Sequence, residues 1–351
     1  ELLIYAVGNG GTVYESDGFF WTKQEKVENQ FSNTNVMAVN GGDSPASGTW
    51  IVTNDGKYAY LNADKKWIFP SISRHIHAFW GMDGAAENLW GVGSDCLAIR
   101  YNGTEWLESA IDGGNCADGN GSSDFHNLWG DASGTFVYAV GDNMLYSWDG
   151  SAWVPAADPT TGGGNDIWGT VSTDAAGDSM ALLYIVQDSN TWFWNGSSWQ
   201  NTGGGGGQSG WGTATDNFYV VGGNGNVRHF DGSEWSTTTV SAQSLTDIYG
   251  TDANDIWVVG NNGAVHHYDG KWNNVSVPSD MLEGLGAGAS LQSVWTHSMG
   301  AVYAAAGDGY VYAYNNGWKR ERTFPAKHHN VVYGTSAANV LLGGNGTIYK
   351  K

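Results

Sequence analysis

A unit of about 39 residues recurs along this chain, and no other feature restricts the possible folds as much. Its clearest copy is residues 248–272, Ile-Tyr-Gly-Thr-Asp-Ala-Asn-Asp-Ile-Trp-Val-Val-Gly-Asn-Asn-Gly-Ala-Val-His-His-Tyr-Asp-Gly-Lys-Trp. It reads as four short strands. The first ends at Thr251, the second covers 255–259, the third 264–268, and the fourth begins at Lys271. Asn261-Asn262-Gly263 and Asp269-Gly270 are hairpin turn chemistry, because Asn and Gly tolerate the positive φ that tight turns need.

The same marks return elsewhere. A closing Trp recurs at Trp21, Trp67, Trp106, Trp153, Trp199, Trp235, Trp272 and Trp318, in most copies just after an Asp-Gly or Asn-Gly turn. An aromatic-Gly pair marks the first strand at Trp80-Gly81, Trp129-Gly130, Trp168-Gly169, Trp211-Gly212, Tyr249-Gly250 and Tyr333-Gly334, with Trp295 at the matching place. Four strands per unit at this period predict an all-β fold, a β-propeller of four-stranded antiparallel blades. A single blade leaves both its faces exposed. Packing each blade on two neighbours in a ring buries them, and the recurring Trp and Tyr become the filling between blades. The composition agrees: 53 Gly, 6 Pro, 19 Trp and 17 Tyr fit many tight turns between short aromatic strands. The chain is read as one domain over 1–351, with an incomplete first unit (1–21) and an incomplete last unit (331–351). Nine repeats are counted, with an eight-bladed ring as the alternative. Segments 42–48 and 173–180 depart most from the pattern.

Fifteen basic residues against 35 acidic ones give a formal net charge of −20. This disfavours nucleic acid and anionic lipid as partners, and no apolar run is long enough to insert into a membrane. The start at Glu1, inside strand-like sequence, suggests a processed N-terminus. With the acidic, Lys-poor composition it points to a secreted, periplasmic or cell-surface protein. The units resemble the Asp-box (BNR-type) repeats of secreted bacterial β-propellers, the Asp-Gly-x-x-Trp hairpin being similar to a shortened Asp box. That resemblance implies an architecture and leaves activity open, because one fold hosts lectins, sialidases, assembly factors and adhesins.

Function is expected where the units disagree. The connections between blades (107–125, 154–165, 200–209, 273–291 and 319–329) vary most, and they share one face with the turns between second and third strands. Cys96 and Cys116 both fall on that face, which makes a disulfide reasonable. In the loop between them and the next strand, Asp118, Asn120, Ser122 and Asp124 alternate with small residues. They make a candidate Ca²⁺ loop without an acidic closing ligand, and no other cofactor is suggested. Three positions before each first-strand marker stands a polar residue: His77, His126, Asn165, Gln208, Thr246, Gln292 and Asn330. The first strand is innermost, so these residues should ring the mouth of the central channel. His75 and His77 alternate on one strand without a third ligand at a fixed spacing. Trp192 and Trp194 are the aromatic candidates for stacking on a sugar.

A sialidase needs an arginine triad, and Arg100 and Arg228 sit one residue out of phase within their strands. No pair of carboxylates, nucleophile motif or phosphate loop stands out. The expected function is therefore a non-catalytic one. The protein would recognise a glycan or an extracellular protein through the loop face. One alternative is a structural subunit of a surface assembly or filament, joined through the unpaired edges of the end units, and a second is a glycoside hydrolase.

Overall fold

A computed structural model describes residues 4–7, 13–16, 21–23, 36–41, 49–53, 58–61 and 67–68. From residue 75 onward it describes all but 82–88, 103–105, 117–122, 158–162, 175, 283–289, 298–300, 307–309, 322–328, 337–338, 345–346 and 351. The chain divides into two compact units, 1–73 with 345–347, and 74–344 with 348–351. The first holds a three-stranded sheet (Ile4–Val7, Val13–Ser16, Trp21–Lys23) and a four-stranded one (Val36–Gly41, Thr49–Thr53, Tyr58–Leu61, Trp67–Ile68).

The second unit is the propeller. Six four-stranded antiparallel blades follow one another, with innermost strands Ile76–Gly81, Phe125–Gly130, Asp166–Thr173, Ser209–Ala214, Leu245–Asp252 and Leu291–His297. These strands stand side by side in chain order. A three-stranded sheet (His329–Ser336, Asn339–Gly344, Thr347–Lys350) then fills the place between blades six and one. Its Tyr333 hydroxyl donates to the Gly81 carbonyl at 2.6 Å.

The propeller therefore has six blades, not nine or eight. The described residues form nine sheets, but the ring closes between His329–Ser336 and Ile76–Gly81, within the second unit. Repeats are a local property of sequence, whereas closure is a contact between strands some 250 residues apart. The divergent segment 173–180 lengthens the first hairpin of blade three, whose strands Asp166–Thr173 and Ser179–Val186 pair over their whole length.

Each joint between successive blades carries its own apolar cluster. Trp90, Phe125, Tyr146 and Trp153 fill the joint of blades one and two. Val140, Leu183 and Ile185 fill the next, then Tyr184 with Phe218, then Val221 with Val258, then Trp257 with Val294. Tyr184 and Phe218 stack with centroids 4.1 Å apart.

The turns follow the chemistry expected of them. Asp149 Oδ1 accepts the N–H groups of Ser151 and Ala152, each at 2.8 Å, while Gly150 adopts φ 100°. Asn195 and Asp231 do the same in the next two blades. Asn143, Asn224 and Asn262 take φ of 53–60° at the turns between second and third strands. These side-chain caps recur because a type of turn recurs, and they fix hairpin register locally.

Cys96 and Cys116 form a disulfide. After blade one the chain crosses to blade two, where Ala110–Ile111 adds a strand parallel to Ala152–Pro155. Tyr146 Oη then accepts the Cys116 N–H at 3.2 Å and donates to the Gly113 carbonyl at 2.9 Å. The bridge thus ties the Ser94–Leu97 turn of blade one to the side of blade two. Replacing both cysteines by serine should lower unfolding stability by about 3 kcal/mol, as expected for a loop of this length. Denaturant unfolding of the double variant against the oxidised parent checks this.

Candidate functional site

The innermost strands enclose a central cavity of about 450 Å³. His77, His126, Asn165, Gln208, Thr246 and Gln292 line it, together with the aromatic markers Trp80, Trp129, Trp168, Trp211, Tyr249, Trp295 and Tyr333 further along the same strands. The six polar residues thus stand where the sequence places them. Asn330 occupies the same register in the closing sheet, but its side chain lies outside the described residues.

A backbone irregularity explains the placement. Ile76 pairs with Gly93 and Ala78 with Val92, so His77 is the extra residue of a β-bulge. His126, Thr246, Gln292 and Asn330 are skipped in the same way. A bulge sets two residues against one, so consecutive side chains reach the channel side. That is why, in these strands, the residue three places before the marker and the one two places before it both reach the channel side.

Much of this ring is also occupied in holding blades together. His77 Nδ1–H donates to the Phe125 carbonyl of blade two at 2.8 Å, and His126 Nδ1–H to the Gly164 carbonyl leading into blade three at 2.9 Å. Asn165 Nδ2 donates to the Gly207 carbonyl at 2.9 Å, and the Thr246 hydroxyl to the Leu291 carbonyl at 2.5 Å. What remains for a ligand is the outer edge of each group. His77 Nε2 accepts from the Ser94 hydroxyl at 3.2 Å, and His126 Nε2 lies 3.2 Å from Asp142. Asp188 accepts from Asn165 at 2.8 Å and from Gln208 at 3.2 Å. Burial holds the His77 imidazole below the usual histidine range, so it is neutral at pH 7.

Inside the mouth lies a second layer that reading by repeated letters passes over, two positions before each marker. Asn127 Nδ2 donates to Asp166 Oδ1. Asp166 Oδ2 accepts the Gly210 N–H at 2.7 Å and touches Ser209 Oγ at 2.7 Å. Ser209 Oγ also lies 2.8 Å from Asp247 Oδ1, and Asp247 Oδ2 accepts the Val294 N–H at 2.8 Å. Ser293 reaches the Val332 N–H at 3.3 Å. The belt passes through five consecutive blades and on to the closing sheet. Burial drives both acids up, Asp166 to about 7 and Asp247 to about 6.

The aromatic layer beyond explains the aromatic-Gly marker. A Cβ on Gly130 would lie 2.6 Å from the Trp80 ring, one on Gly250 2.7 Å from Trp211, and one on Gly334 2.6 Å from Trp295. Each indole lies flat against the glycine of the following blade.

Other sequence candidates fall elsewhere. Trp192 and Trp194 are half-buried in the joint of blades two and three, with the Trp192 indole N–H donated to Gln187 at 2.9 Å. They do not line the cavity. Asp118, Asn120 and Ser122 lie outside the described residues. Asp124 accepts the Asp95 N–H at 3.0 Å. His229 and His267 occupy matching places, each against an aromatic ring of its own blade, with Nε2 on Asn217 and Asp255 respectively. Among the described residues, no three His, Cys, Asp or Glu are grouped to hold a metal.

Neither a family model nor a curated protein matches the sequence. Solved structures do. The WD40 β-propeller domain of Doa1 is similar at a TM-score of 0.58 and 11% identity, over 79% of this chain and 92% of that one. The RRP9 WD40 repeats align with a TM-score of 0.60 at 12% identity, over 77% and 87%. YCF48 from Cyanidioschyzon merolae aligns with a TM-score of 0.56 at 15% identity, over 80% and 95%. At these identities the likeness shows the propeller fold.

Proposed function

We propose that this protein is a non-catalytic binding propeller that takes up a segment of a protein partner at the polar mouth of its central cavity. The observation that carries this reading is the ring of His77, His126, Asn165, Gln208, Thr246 and Gln292 around a cavity of about 450 Å³. Mixed donors and acceptors of this kind match the backbone amides and polar side chains of an extended segment. The two carboxyl groups in the cavity wall are tied into the structure. Every oxygen of Asp166 and Asp247 accepts an N–H of its own or a neighbouring blade, which gives both groups a place in joining the blades. Among similar structures, a YCF48 bound to D1 peptide aligns at 13% identity and a TM-score of 0.56, over 79% of this chain and 92% of that one. The disulfide supports a location outside the reducing cytosol.

Gln208 is the residue on which to test this, because it is exposed and its side chain reaches the preceding blade only through a long rim contact, to Asp188 at 3.2 Å. A photo-crosslinking side chain at position 208 should give discrete protein adducts in an extract of the source cells. The same group at Ser197, in a turn of the opposite face, should give none. With the captured partner, Gln208→Trp should weaken binding at least tenfold at unchanged melting temperature. Equal adducts from both positions would remove the reading, and strong signals on a glycan array that Gln208→Trp abolishes would replace it with a lectin.

A further inference from the structure

We infer that Asp166, Ser209 and Asp247 hold one shared proton in the folded ring at neutral pH, and that loss of this proton loosens the wall of the central cavity. Ser209 Oγ lies 2.7 Å from Asp166 Oδ2 and 2.8 Å from Asp247 Oδ1. A hydroxyl has a single hydrogen to donate. It satisfies one of these contacts, and the other needs a hydrogen from a carboxyl group. With both carboxyls ionised, one close oxygen pair would face lone pair to lone pair.

Neither acid is free to turn away. Asp166 Oδ1 accepts the Ile167 N–H at 2.7 Å and its Oδ2 the Gly210 N–H at 2.7 Å. Asp247 Oδ1 accepts the Ile248 N–H at 2.9 Å and its Oδ2 the Val294 N–H at 2.8 Å. Relief of the repulsion therefore requires the blades to part, because the Gly210 and Val294 N–H groups belong to the neighbouring blades.

The surroundings offer no cation in the proton's place. Blade two presents Asn127, with His126 one residue nearer the mouth. Blade three adds Asp188 at the rim, blade four Ser209, and blade six Ser293. Among the described residues no lysine or arginine lines the cavity. The upward displacement of both acids has burial as its largest cause, with the Asp247 charge adding to it at Asp166. The two titrate as a pair.

The sign of the effect follows. A carboxyl held above its unfolded value gives stability that is complete below about pH 4 and is lost as pH rises to about 7. Buried His77, His229 and His266 lie below their ordinary value and act in the opposite direction near pH 6. Asp131, Asp149, Asp231 and Asp255 are held low and matter only below about pH 4.

Two measurements on the full chain test the proposal. The first compares unfolding of the parent and Asp247→Asn from about pH 4.5 to pH 8. The histidines are common to both and cancel. The folding equilibrium constant of the parent should fall relative to the variant by up to about tenfold per pH unit. The second is the infrared spectrum of the parent at about pH 6, where a protonated carboxyl band should be present and should vanish by about pH 8. Superimposable pH profiles, or no such band at pH 6, would overturn the inference. If Asp247→Asn does not fold, the band alone decides.

Discussion

Replacing Trp153 by alanine should destabilise the propeller by about 3–5 kcal/mol, whereas Trp153→Phe should cost no more than about 1–2 kcal/mol. Trp153 closes blade two, yet its side chain reaches the joint with blade one and is fully buried there. Its ring meets Trp90 edge-on at 5.7 Å and Trp148 at 6.0 Å, and touches Phe125 at 6.3 Å. Alanine would leave a void walled by aromatic rings that are themselves held by backbone pairing, so the site cannot collapse to fill it. The difference between the two variants comes from the indole nitrogen. Its N–H is buried and has no acceptor among the described residues. Phenylalanine loses volume but also removes that unmet donor, and the second effect offsets part of the first. Urea or guanidinium titration of the three proteins gives both values. A Trp153→Phe cost as large as that of alanine would mean that the N–H finds a partner after all.

That joint also shows what the sequence makes readable. Trp153 recurs with the unit, and a recurring large apolar residue in short strands has to be buried between blades. Local features are readable for the same reason. The positive φ of Asn262 and Gly270 follows from residue type, and the polar ring from a polar residue recurring at one place, in five strands on a bulge. Blade number is not readable. It depends on which strand His329–Ser336 meets, and nothing in the letters near residue 330 names residues 76–81. The Asp166–Ser209–Asp247 belt escapes for another reason. Its register is filled by Asn127, Asp166, Ser209, Asp247 and Ser293, so no one letter marks it although polarity does. Trp192 and Trp194, the candidates for stacking on a sugar, pack partly buried against blade two, a placement that their letters alone do not show.

The second large effect is expected at a glycine with an ordinary backbone. Gly141→Ala should cost about 3 kcal/mol or more, while Gly223→Ala should change stability by less than about 0.5 kcal/mol. Gly141 ends the second strand of blade two. A Cβ there would lie 2.0 Å from the Asp124 carbonyl oxygen and 2.8 Å from Phe125 Cα. These are backbone atoms, so no rotamer change makes room. The Asp124 carbonyl also accepts the Asp142 N–H at 3.0 Å, and Asp142 Oδ2 accepts the Asp124 N–H at 3.1 Å. Moving the strand aside would break both, next to the bulge that carries His126. The same crowding recurs at Gly93 against the His75 carbonyl, 1.8 Å, and at Gly260 against the Ser244 carbonyl, 2.2 Å. This is the physical reason that the second strand of these units ends in glycine. Gly223 has nothing within 4 Å of its Cβ position and needs no positive φ, so it isolates the effect of space from that of the substitution itself. Thermal unfolding of both variants measures the contrast. Because the displaced strand supports the mouth, Gly141→Ala should also weaken capture at position 208 under conditions where the protein remains folded. Unchanged capture at position 208 in a folded, destabilised Gly141→Ala protein would separate the bulge from the binding surface.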